Sequence, residues 1–117
     1  MKTLIVKNNW MPQDIVPHGW GNGYVLIPKD SILYGVDYDT LNTTVDVHAG
    51  LTYAQSVQEE DHMHFTGITK EDIGKWMVGF DTAHSMDTLE KWPKERVQEE
   101  ADRLLKQLQE YEKRKKA

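Results

Sequence analysis

Apolar and polar positions alternate with a period of two in several short stretches of this chain and with a helical period at its end, and these two rhythms predict its elements. Leu4, Ile5 and Val6 form a first strand over residues 1–7, stopped by Asn8-Asn9 and Pro12. Met11 to Gly23 is dense in turn formers. Its glycines at 19, 21 and 23 invite comparison with a phosphate loop, but no Gly-Lys-Ser/Thr follows, so the segment reads as the entry into a strand at Tyr24-Val25-Leu26-Ile27, ended by Pro28. Residues 29–43 have no clean period and predict a loop with one helical turn. Thr44 to Val57 predicts a long strand kinked at Ala49-Gly50, where a glycine suggests a bulge. After a charged loop over 58–69, Thr69-Lys70-Glu71-Asp72 resembles a capping box that opens a short turn closed by Gly74, and Lys75 to Asp81 is the last strand. From Pro93 onward Val97, Ala101, Leu104, Leu108 and Tyr111 recur in steps of four and three, with Leu105 widening the stripe.

Together these predict one α+β domain over residues 1–117: a small antiparallel sheet with a long C-terminal helix packed on one face. The helical stripe is close to a heptad, so pairing with a second copy in a homodimer is the alternative to packing on the sheet. A length of 117 residues with 38% hydrophobic content suits one core. No apolar run approaches the ~20 residues of a membrane span, and the N-terminal stretch is too short for a signal peptide, which predicts a cytoplasmic protein without a membrane partner.

The absence of cysteine removes disulfides, thiolate metal sites and cysteine catalysis at once. The formal net charge is −5, and both halves are acidic, which argues against nucleic acid as a partner. The one basic run, Lys113 to Lys116, complements the C-terminal end of a helix.

Two segments carry the candidate chemistry. Val45-Asp46-Val47-His48-Ala49-Gly50 and Gly79-Phe80-Asp81-Thr82-Ala83-His84 each set a carboxylate beside an imidazole, with small residues that leave room for a ligand. On the strand reading Val45 and Val47 take one face, so Asp46 and His48 share the other, about 7 Å apart. If the segments meet, Asp46, His48, Asp81 and His84 form a set able to hold a divalent metal, zinc or manganese, that activates water for hydrolysis, with His48 and His84 as the catalytic imidazoles. Without a metal, an Asp-oriented histidine is a general base, and Asp87, three residues past His84, can orient an imidazole. The plain alternative is that these are half-exposed polar positions bonded to nearby amides. His62 and His64 lie in a solvated loop, His18 reads as structural, and Ser31 and Ser85 lack the setting of an activated serine. Trp20 and Trp92 are core plugs or pocket walls.

Gly23-Tyr24-Val25-Leu26-Ile27-Pro28, Leu33-Tyr34-Gly35-Val36-Asp37-Tyr38-Asp39, Asp46-Val47-His48-Ala49-Gly50-Leu51-Thr52-Tyr53 and Gly79-Phe80-Asp81-Thr82-Ala83-His84 resemble, in order and spacing, a family of small uncharacterised phage and prophage proteins. The likeness covers residues 20 to 87. The chain departs from that pattern at Ser31-Ile32, where His-Pro is usual, and at Ala49, where glycine is. The resemblance implies a mobile-element setting inside a bacterial cell and no particular activity. Two functions stand as expectations: a metal-dependent hydrolase built on the Asp/His set, and a non-enzymatic inhibitor or adaptor that engages a host protein.

Overall fold

The computed structural model describes residues 1–116. Four strands, β1 (Lys2–Lys7), β2 (Gly21–Ile27), β3 (Tyr53–Ser56) and β4 (Trp76–Phe80), form one antiparallel sheet in the order β1-β2-β4-β3. Three helices accompany it: α1 (Tyr38–Leu41), α2 (Asp61–His64) and the 23-residue α3 (Lys94–Lys116), about 35 Å long at 1.5 Å per residue.

The strand β2 is central, and Gly23 to Ile27 are buried without exception. That is why its apolar run is continuous: both sheet faces are covered. On one face α3 lays Val97, Ala101, Leu104 and Leu108, all fully buried, against Val25, Ile27, Val78 and Phe80. On the other face Tyr24, Leu26 and Met77 pack with Leu4, Val57, Ile68 and Phe65. Trp76, Val78 and Phe80 thus face α3 while Met77 faces away, as the alternation in the last strand predicts. The β2–β4 register sets Gly23 opposite Phe80 and Tyr24 opposite Gly79, and a Cβ on either glycine would strike the ring across from or beside it. Missing side chains here make room for aromatic ones.

The capping box at Thr69 is present, with the Asp72 carboxylate accepting the Thr69 amide at 2.9 Å, and the 3₁₀ turn it opens ends at Gly74. Asp72 also holds Lys2 at 2.7 Å and Lys75 at 2.9 Å. Burial pushes its carboxyl up, but the hydrogen bonds from Lys2, Thr69 and Lys75 outweigh that and hold it well below the usual carboxylate range. His18 is buried, with Nε2 2.8 Å from the Met11 carbonyl and Nδ1 2.8 Å from that of Gly19, so it organises the loop between β1 and β2.

The loop expected over 58–69 contains the turn of helix α2, the second strand begins at Gly21 and not Tyr24, and the largest difference lies in the third strand. The strand expected over Thr44 to Val57 exists only at Tyr53–Ser56, and residues 45–52 form an irregular loop laid along α3. Val45 and Val47 are buried and Asp46 is exposed, so the alternation is real. The partner is not a strand. Gln107 accepts the Asp46 amide at 2.7 Å and donates to the Asp46 carbonyl at 2.9 Å, and Glu100 accepts the His48 amide at 2.7 Å. Helix side chains therefore satisfy the backbone groups that a neighbouring strand would have bonded.

Candidate functional site

The loop over residues 45–52 brings His48 to the N-terminal half of α3. A tight turn follows it, with the Gly50 amide on the Val47 carbonyl at 3.0 Å and positive φ at both Ala49 (56°) and Gly50 (84°). Gly50 adopts this backbone readily, whereas Ala49 holds it under mild strain. The turn directs the chain back toward β3 and leaves the His48 ring against Trp92, with centroids 4.2 Å apart.

The segment after β4 supplies the other half. Asp81 Oδ1 accepts the Ala83 amide at 3.0 Å, an Asx turn, and the Thr52 hydroxyl donates to Oδ2 at 3.1 Å. A second turn, with the Asp87 amide on the His84 carbonyl at 3.0 Å, includes Met86 at φ 79°. It aims the Asp87 side chain inward, where it is 5% exposed. There both carboxylate oxygens meet His48 Nε2, at 2.9 and 3.0 Å, and Oδ2 also accepts the His84 amide at 2.9 Å. The His84 ring lies edge-to-face on His48 at 5.8 Å. Its Nε2 is 3.0 Å from Asp81 Oδ1, too far off line for a hydrogen bond, so that nitrogen is buried without one.

The structure thus brings His48, Asp81 and His84 into one cluster and leaves Asp46 out of it. Asp46 does not share a face with His48: its carboxylate is 92% exposed and lies 4.0 Å from Arg103. The reason is the loop itself, which leaves the Asp46 carboxylate in solvent and turns the His48 ring onto Trp92 and Asp87. The carboxylate that holds His48 is Asp87. The four-residue zinc or manganese set expected from Asp46, His48, Asp81 and His84 is therefore not assembled as a whole, because Asp46 lies on Arg103 and apart from the other three. Among the described residues no group of three or more His, Asp or Glu side chains is placed to hold a metal ion.

His48 and Asp46 line a cleft of about 500 Å³ between their loop and α3, walled on the other side by Trp92, just before the helix, and by Arg96, Glu99, Glu100 and Arg103. Glu100 binds Arg103 Nε at 2.8 Å and Nη2 at 3.1 Å while accepting the His48 amide. Burial raises the Glu100 carboxyl, but Arg103 and the His48 amide bring it below its ordinary value. Arg103 is therefore neutralised. Arg96 is not: its Cζ lies 4.0 Å from the Trp92 ring centroid, Nη1 donates to the Lys91 carbonyl at 2.7 Å, and no carboxylate pairs with it among the described residues. Nor does any protein group among the described residues hydrogen-bond to His48 Nδ1.

His48, His84 and Asp81, expected from their spacing, lie together with Asp87, whereas Glu100, Arg96 and Gln107 were not anticipated. Polar side chains at those helix positions carry no local sign that they reach across to a loop.

No protein-family model matches the chain, and no curated protein or solved structure matches it significantly. Among the described residues no helix is long and apolar enough to cross a membrane.

Proposed function

We propose that the chain is a small hydrolase that works without a metal, with His48 as general base, Asp87 as its orienting carboxylate, and as substrate an ester carrying an anionic group. The observation that carries this reading is the division of the His48 ring: Nε2 is held by both oxygens of a buried aspartate, while Nδ1 has no protein partner among the described residues and its residue lines a cleft. An Asp-bound Nε2–H fixes the tautomer, so the lone pair lies on Nδ1. That nitrogen takes a proton from a water molecule as the water oxygen attacks the acyl carbon. Asp87 stabilises the imidazolium that results. The proton then passes to the leaving oxygen as the acyl C–O bond breaks, which restores the neutral ring. Arg96, with donors to spare, holds the anionic group of the substrate, and Trp92 fixes the ring plane of His48.

The test is hydrolysis of a panel of carboxylate-bearing aryl esters. Positioned general bases contribute about 10²–10⁴ in rate, so His48→Ala should lose that much kcat/KM while Arg96→Ala raises KM. A parent protein that cleaves no panel member, or a His48→Ala variant as active as the parent, overturns the reading.

A second reading, recognition of a host protein, is supported by apolar side chains at the surface. Val16 (41% exposed) and Met86 (74%) share a hollow with His84 and Asp87, and Ile15 is 67% exposed. On this reading the Asp/His contacts only brace the loops that present those side chains. The ester assay separates the two, because recognition predicts no turnover and loss of partner binding in Met86→Asp.

A further inference from the structure

At the opposite end of α3, about 20 Å from the cleft at 1.5 Å per residue, a second hollow of about 290 Å³ lies between the helix and the segment that carries α1. Its floor is apolar: Leu33 and Leu41 are 3% and 2% exposed and Val36 is half-buried. Ile32, 47% exposed, stands at its rim. One charged side chain lines it, Lys115, whose Nζ lies 5.5 Å from the centroid of Tyr111, another lining residue.

Glu112, the acid on the adjacent helical turn, is already committed: it accepts the Ser31 hydroxyl at 2.7 Å and the Ile32 amide at 3.2 Å, and lies 3.7 Å from Lys116. Those contacts, the Ser31 hydroxyl first, keep its carboxyl below the ordinary value despite some burial. Among the described residues Lys115 has no carboxylate partner. Glu112 thus ties the loop to the helix beside the slot, and among the described residues no carboxylate pairs with the cation that lines it.

We propose that this slot is a binding site for a small amphipathic anion, an aliphatic or aromatic body carrying one carboxylate, with the body against Leu33, Val36 and Leu41 and the carboxylate on Lys115. The volume is at the low end of ligand pockets, about 300–1,000 Å³, which suits a medium-chain acid and not a large cofactor. An apolar floor with one oriented charge selects such a ligand by both halves: the body gains by burial, and the head finds a cation that no acid among the described residues neutralises.

The experiment titrates the full chain with octanoate, and in parallel with octan-1-ol, while amide and methyl NMR signals are followed. Octanoate should shift Ile32, Val36, Leu41 and Tyr111 at submillimolar to millimolar concentration, and octanol should bind about twofold to fivefold more weakly, the worth of one exposed charge pair. Lys115→Ala should weaken octanoate to the level of octanol without changing octanol binding or Tm. Equal binding of the two probes, insensitivity to Lys115→Ala, shifts confined to other surfaces, or no saturable binding would each overturn the proposal. So would concentration-dependent dimerisation that perturbs the same residues and excludes octanoate, since the occupant would then be a second copy.

Discussion

Replacing Asp87 with alanine removes both oxygens that hold His48 Nε2 and the one that accepts the His84 amide. Hydrogen bonds to a charged group contribute about 1.5–3 kcal/mol each, so two orphaned donors set a ceiling of about 6 kcal/mol. The His48 side chain is 23% exposed, so water recovers part of its bond, and the expected loss is about 2–4 kcal/mol. With an unfolding entropy of about 2.1 cal/mol/K per residue over 117 residues, each kcal/mol shifts Tm by about 4 °C. Asp87→Ala should therefore melt about 8–16 °C below the parent by circular dichroism at neutral pH. Asp87→Asn, which keeps an acceptor for one of the two donors, should fall by about half as much. Ring-nitrogen NMR supplies the second readout: the parent should show His48 with its proton on Nε2, and Asp87→Ala a mixture of tautomers. An Asp87→Ala protein melting within about 2 °C of the parent, with unchanged His48 ring signals, would refute the claim that this carboxylate orients the imidazole.

Two further outcomes test the packing and the acid response. Leu104, fully buried between α3 and the sheet, should cost about 2–5 kcal/mol when cut to alanine, visible as a Tm drop of at least about 8 °C; a drop near zero would mean that the stripe does not close this core. Asp72, Glu100 and Glu112 all have carboxyls below their ordinary values in the fold, so the stability they contribute is present above the unfolded-state pKa near 4 and is lost as pH falls below it. Melting temperature should therefore fall steeply below about pH 4, and Asp72→Asn, which strands Lys2 and Lys75, should lower Tm at neutral pH and flatten that acid limb; an unchanged limb would show that Asp72 does not contribute to it.

The strands at 2–7, 21–27 and 76–80 and the helix at 94–116 were legible because each is stabilised by its own pattern: period two for a sheet face, a step of three and four for a helix, and Asn, Pro or Gly at the ends. So were the two histidines, since small neighbours and a repeated Asp/His pairing are local facts of the chain. What the linear pattern could not decide was the partner of each group. The alternation from Val45 to His48 reports which side chains are buried, but Gln107 and Glu100, more than fifty residues away, bond its backbone where a strand was expected. The same holds for the pairing of charge. Asp46 is two residues from His48 and points to solvent, while Asp87, 39 residues away, is the carboxylate on its ring. Burial and turn direction set those distances, and both belong to the packed chain: the turns at Ala49-Gly50 and Met86 place the side chains, and α3, seated by its leucine stripe, builds the wall they meet.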